Sequence, residues 1–203
     1  MGISMGDVKE NRKEDIFTAA VKCFNENGYY KASMDMIAER AKMTKRGLYY
    51  HFKSKDELFI ELFKYMNMKY YAQIPAYVTE IKDPEERMMH FVKIANKVLM
   101  ENTDFLKFTH EFMSIGLRKP AIRKVMSSYY NDQVEKVRKT VENGIQSGTF
   151  IPIDSEAMAR AIVLITIGAF NAHFTLDADF DLPKQHNFNI THLLKGLKTN
   201  HTP

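Results

Sequence analysis

The chain has 203 residues, 45% apolar and 27% charged, with a single cysteine and a net charge of +4. It is long enough to bury a sizeable core, and one cysteine excludes a disulfide-stapled scaffold. The charge excess is local: residues 1–55 hold 11 Lys and Arg against 7 Asp and Glu, whereas residues 56–203 hold 18 of each.

The opening stretch MGISMGDVKENRKED has no apolar run, so no secretory signal is expected, and Gly6 stands where a myristoylation motif wants Ser or Thr. The longest apolar run, Ala161 to Phe170, is about half of what a bilayer requires, so no membrane span is expected. A cytoplasmic location is the corresponding expectation. Between Arg40 and Lys55 there are six basic residues and no acidic one: Arg40, Lys42, Lys45, Arg46, Lys53 and Lys55. A positive patch on a near-neutral body suits a polyanionic partner, although a solvated charged face has the same composition.

Apolar spacing is helical along the whole chain and no stretch sustains strand alternation, so an all-α fold is predicted. A first helix runs from about Asn11 to Asn27, with Ile16, Ala20, Cys23 and Phe24 on one face and Gly28 as its stop. Cys23 on that face reads as a small core residue. A second helix covers Met34 to Ala41 with Ser33 as N-cap, and a third covers Lys45 to His51 capped by Thr44. Two short helices joined by Lys42-Met43-Thr44 make a helix-turn-helix candidate. Ser54 and Glu57 form a capping box for a fourth helix that Pro75 ends. Asp83-Pro84-Glu85-Glu86 starts a fifth, reaching about Met100. Further helices are read at Asp104–Ile115, Pro120–Ser147, Asp154/Ser155–Leu176 and Phe188–Leu197. The middle of the Ser155–Leu176 helix is apolar all round and so needs cover on every face.

The segment from Ser33 to Phe59, and above all the run Gly47-Leu48-Tyr49-Tyr50-His51-Phe52-Lys53-Ser54-Lys55, resembles the DNA-binding domain of the TetR family of transcriptional regulators. The resemblance covers about residues 10–63; beyond that only the layout is similar. It implies an all-α chain. The N-terminal part is a three-helix helix-turn-helix domain at 10–53, its motif at about 33–52. A larger C-terminal helical domain at 54–200 binds an effector and dimerises.

The recognition helix of such a motif enters the major groove with its N-terminal residues at the base edges. Thr44, Lys45 and Arg46 occupy that end, and Arg46 has the bidentate donor geometry that suits guanine. Tyr49, Tyr50 and His51 are placed for phosphates, Lys55 for a phosphate at the start of the fourth helix, and Ser33 for capping and backbone contact. In the family the positions matching Ser33, Lys45, Tyr49, Tyr50, His51 and Lys55 commonly contact DNA. Leu48 and Phe52 read as core. This chain departs from the family at Lys42 and Arg46, where glycine is common. A positive φ at Lys42 would cost about 1 kcal/mol.

The resemblance further implies a repressor that a small effector releases from a pseudo-palindromic double-stranded operator. It implies a homodimer through the helices at about 120–147 and 155–176. Gly168, Ala169 and Ala172 form a strip of small residues there. Candidate ligand-lining residues for a lipophilic effector are Met66, Tyr70, Phe91, Phe108, Phe112, Tyr130, Asn171 and Phe174; plain core packing is the competing reading of each. No histidine pair has metal-ligand spacing, and no nucleophile triad or phosphate loop is visible, so neither enzyme nor cofactor is expected. From the residues alone, a helical ligand-binding or adaptor protein without specific DNA binding remains an alternative.

Overall fold

The computed structural model describes residues 5–73, 77–176 and 179–198. They form ten helices: α1 (Met5–Lys31), α2 (Met34–Arg40), α3 (Lys45–His51), α4 (Lys55–Tyr71), α5 (Tyr77–Glu80), α6 (Pro84–Glu101), α7 (Thr103–Gly116), α8 (Pro120–Gln146), α9 (Ser155–Thr175) and α10 (Leu182–Lys195).

The helix starts are written in local chemistry. Ser33 and Thr44 each accept a backbone N–H, from Met36 at 3.2 Å and Gly47 at 3.1 Å. Ser54 accepts from the Glu57 N–H at 3.1 Å while the Glu57 carboxylate reaches back to the Lys53 N–H at 2.7 Å, one residue earlier than a standard capping box. Asp83, Asp154 and Asp181 cap α6, α9 and α10 in the same way. Gly28 interrupts α1 as expected, but with φ 71 and ψ 163, a conformation open essentially only to glycine. Three elements differ from the sequence reading: α1 begins at Met5, six residues before Asn11. The short α5 carries no cap signal, and α10 begins six residues before Phe188, at a polar first turn opened by Asp181 with Pro183 inside it. Pro75, read as the end of the fourth helix, lies outside the described residues; α4 stops at Tyr71.

The chain packs as two compact units, Met1–Tyr70 with Asn102–Val125, and Tyr71–Glu101 with Met126–Pro203. The first therefore reaches well past the 10–53 expected for the helix-turn-helix domain, and the second is smaller than 54–200. The reason is hydrophobic: α1, α2 and α3 alone cannot cover the apolar face of α1. Phe24 meets Phe59 of α4 edge-on at 4.8 Å, Phe59 meets Phe108 of α7 at 4.9 Å, and Phe63 stacks on Phe112 at 4.1 Å. Ile16, Ala20 and Leu48 are fully buried in the same unit. Cys23 is buried too, and burial pushes its thiol pKa up, as suits a core residue.

In the second unit Met88 and Val92 of α6, Val141 of α8, Ile162 of α9 and Ile190 and Leu194 of α10 close around Phe150. The Phe150 ring lies where a Cβ on Gly144 would sit 2.0 Å from it. A polar cluster is buried alongside: His186, 1% exposed, bonds Asn96 at 2.7 Å through Nδ1 and Thr166 at 2.9 Å through Nε2.

α9 is not covered on all sides. Leu164 is 56% exposed and nothing lies within 4 Å of a Cβ placed on Gly168. By length and composition α9 could cross a membrane, and 22% of its apolar stretch is buried. The run from Ala161 to Phe170 underestimates it, because isolated polar residues break the run without making the helix polar.

Candidate nucleic-acid interface

Helices α2 and α3 are seven residues each, too short to be stable alone, so tertiary packing must hold them. Ile37 and Ala38 of α2, Leu48 of α3 and Phe52 beyond it are all at most 3% exposed. Their burial turns the opposite face of α3 outward. Lys42 in the connection adopts φ 53, the one positive φ at a non-glycine among the described residues. This is the left-handed conformation that favours glycine.

The outward face carries the expected residues. Arg46 is exposed at the second position of α3, and Tyr49 and Tyr50 are 42% and 77% exposed. The His51 ring is half-buried and set edge-on to Tyr50 at 5.5 Å. The hydroxyls of Ser33 and Thr44 accept the capping N–H groups, which leaves each O–H free to donate to a phosphate.

The six cations of the basic stretch do not all face a partner. Arg40 is engaged bidentately by Glu26 of α1 at 2.7 and 2.6 Å. Lys45 is paired with Asp35 of α2 at 2.8 Å, and this bond raises its pKa. Lys55 is committed inward. Its ammonium donates to the carbonyls of Tyr29 at 2.6 Å, Ala32 at 2.8 Å and Tyr30 at 3.3 Å, and lies 4.5 Å from the centre of the Tyr29 ring. Burial lowers its pKa. Three donors on three carbonyls leave that ammonium no hydrogen for the expected phosphate, and Lys55 instead ties the end of α1 to the start of α4. Lys42, Arg46 and Lys53 are the exposed cations of the stretch with no partner among the described residues.

Next to Lys55, Asp56 accepts hydrogen bonds from the Tyr29 hydroxyl and from Lys119 at 2.7 Å. Partial burial pushes its carboxyl pKa up, but those two donors outweigh it and hold the pKa low. Burial and the same carboxylate push the Tyr29 phenol up to about 12. Glu111 of α7 accepts the Tyr29 N–H at 2.6 Å. Sequence reading missed this junction and both acid partners of the basic stretch. Each joins residues 10 to 82 apart, beyond any local spacing rule.

The eight proposed ligand-lining residues separate. Met66, Tyr70, Phe108 and Phe112 belong to the first unit, and Phe91, Tyr130, Asn171 and Phe174 to the second. Phe108 and Phe112 are fully buried among Phe24, Phe59 and Phe63, and Tyr70 stacks on Phe105 at 5.5 Å. These three are buried, each in contact with at least one other ring. The four in the second unit are half-buried, and Tyr130 packs against Val134, Ala159 and Val163; beside Phe174, His173 has a buried Nδ1 with no partner among the described residues.

The family model described as "Bacterial regulatory proteins, tetR family" matches residues 16–62. The chain is 28% identical over 177 residues, 87% of its length and 86% of the relative's, to the uncharacterized HTH-type transcriptional regulator YhgD of Bacillus subtilis. It is 23% identical to the Fatty acid metabolism regulator protein of the same species, over 93% of this chain and 97% of that one. In three dimensions it is similar to SmeT, the repressor of the Stenotrophomonas maltophilia multidrug efflux pump SmeDEF. The TM-score is 0.78 at 19% identity, covering 93% of this chain and 91% of that one. All three are regulators by name. The family match falls on the helices that turn Arg46, Tyr49 and Tyr50 outward, so residues 16–62 match the tetR-family model, and over most of its length the chain is similar to HTH-type transcriptional regulators.

Proposed function

We propose that this regulator is a homodimeric repressor that a small lipophilic effector releases from a pseudo-palindromic operator. The observation that carries the reading is the outward face of α3: an exposed Arg46 at its N-terminal end and exposed Tyr49 and Tyr50 behind it. In the proposed docking Arg46 donates to a guanine edge, Tyr49, Tyr50 and His51 donate to phosphates, and the Ser33 and Thr44 hydroxyls add backbone contacts. Lys45 reaches the groove once it leaves Asp35. The family likeness over 16–62 and the repressor role of SmeT support the reading.

A dimer through α8 and α9 answers the uncovered apolar face of α9, where Leu164 is exposed and Gly168 permits close approach. In this reading the effector site lies in the second unit, lined by Phe91, Tyr130, Asn171 and Phe174 with His173 as a polar contact; their common unit and the unpartnered Nδ1 of His173 support it. The relative that regulates fatty acid metabolism supports a lipophilic effector.

The test is selection of bound duplexes from a random double-stranded DNA pool, followed by titration of the recovered site with the parent and Tyr49→Ala. A recovered palindrome, bound at least tenfold more weakly by Tyr49→Ala of unchanged helicity, is expected. Equal binding by Tyr49→Ala would overturn the docking, and failure to enrich any sequence would leave an adaptor without specific DNA binding.

A further inference from the structure

We propose that Asp35 is a specificity-determining residue that acts through Lys45, withholding that lysine from non-specific phosphate contacts and releasing it only on the operator. The inference rests on the reading of α3 as the groove-entering helix.

The two side chains meet across the helix-turn-helix: Asp35 lies in the first turn of α2 and Lys45 is the first residue of α3. Both carboxylate oxygens are in reach of the ammonium, Oδ1 at 2.8 Å and Oδ2 at 2.9 Å. Both side chains are well exposed, at 61% and 60%, on the surface that also presents Arg46 and Tyr49. A carboxylate there runs against the needs of a polyanion-binding surface. A phosphate approaching Lys45 meets a pair of zero net charge, and taking the lysine strands Asp35 in the field of the DNA. Such a pair therefore releases little counterion from DNA of arbitrary sequence.

An exposed ion pair is weak, so parting it costs little. Guanine O6 and N7 on a major-groove edge accept from the freed ammonium in the operator complex, and they lie at the groove floor, away from the phosphates that repel Asp35. The pair thus lowers background binding more than operator binding, and widens the gap between the two. The contrast with Arg46 is direct. Arg46 is exposed and without an acidic partner among the described residues, so it contributes to both kinds of binding.

The experiment titrates a random-sequence duplex and the operator recovered by selection, across a salt series, with the parent, Asp35→Asn, Lys45→Met and the double variant. Glu39→Gln, an exposed acid of α2 away from any such pair, controls for the change in net charge, and Arg46→Ala controls for the role of α3. Asp35→Asn is expected to bind the random duplex several-fold more tightly. Its log K against log salt should steepen by about 0.9 per protomer, the slope of one added phosphate contact. Its preference for the operator should fall, and all three effects should vanish in the Lys45→Met background and be absent in Glu39→Gln.

An unchanged slope and preference in Asp35→Asn, with Arg46→Ala defective, would overturn the proposal and leave the docking of α3 intact. Equal effects of Asp35→Asn and Glu39→Gln would overturn it in favour of net charge alone. Loss of operator binding by Asp35→Asn without any gain on random DNA would place the carboxylate on a base edge instead. If Arg46→Ala also binds the operator normally, α3 is not the reading helix, and both readings fall together.

Discussion

Lys42 holds a backbone conformation, φ 53, that costs an L-residue about 1–2 kcal/mol. Glycine would remove that cost but lose about 0.5–1 kcal/mol of chain entropy. Lys42→Gly is therefore expected to stabilise the protein by about 0.5 kcal/mol, read as a rise in urea midpoint. It should also weaken binding to random DNA, because an exposed cation is lost. A fall in the midpoint would mean that the lysine stem contributes packing.

His186 is the other residue with a measurable signature. Its ring is buried, and burial drives its pKa down from 6.5 to about 4. Between those values the unfolded chain binds a proton that the folded chain refuses, so stability falls as pH drops from 6.5 towards 4 and is unaffected by this group above 6.5. The full contribution is on the order of 3 kcal/mol. A His186→Gln variant is expected to show a flatter stability profile across that window; an unaltered slope would assign the acid sensitivity to other groups.

At the scale of elements, the two instructive glycines fail for different reasons when substituted. Gly28 ends the long run of α1 at φ 71, ψ 163, and an added Cβ would meet nothing closer than the Glu111 Oε1 at 3.5 Å. Gly28→Ala is expected to cost about 1–3 kcal/mol through backbone strain alone. At Gly144 the obstacle is the Phe150 ring, so Gly144→Ala overpacks α8 against the following loop and costs a similar amount. The discriminating measurement is a second substitution: Phe150→Leu should partly rescue Gly144→Ala, as judged by thermal unfolding, and nothing comparable should rescue Gly28→Ala. Equal rescue of both would refute the distinction.

For the molecule as a whole, the proposed dimer has the sharpest consequence. A charge at the exposed Leu164 of α9 would be buried without a partner in the paired bundle, but solvated in a single chain. The parent is expected to sediment at twice 23.6 kDa and Leu164→Glu at 23.6 kDa with its helicity kept. A parent that sediments as a monomer, or a Leu164→Glu variant that stays dimeric, would remove this interface. A parent that partitions into detergent or lipid vesicles would instead assign the face to a membrane. If the dimer holds, two copies of α3 should span one helical turn, about 34–36 Å, which the spacing of the selected half-sites reads directly.

What the sequence determined by itself is local. Caps at Ser33, Thr44, Ser54, Asp83 and Asp154, the glycine stop at position 28, and the apolar spacing of α1 to α4 all act within a few residues of one another, and so does the motif that names the family. The burial of Leu48 and Phe52, which aims α3 outward, follows from the same periodicity. Only the tertiary structure decided how the charges and rings were spent. Lys55 turned inward to the end of α1, Arg40 went to Glu26 and Lys45 to Asp35, and Phe108 and Phe112 were absorbed into the core of the first unit. The physical reason is the same in each case. Whether a cation or an aromatic ring is available to a ligand depends on which distant groups compete for it, and that competition exists only once the chain has folded.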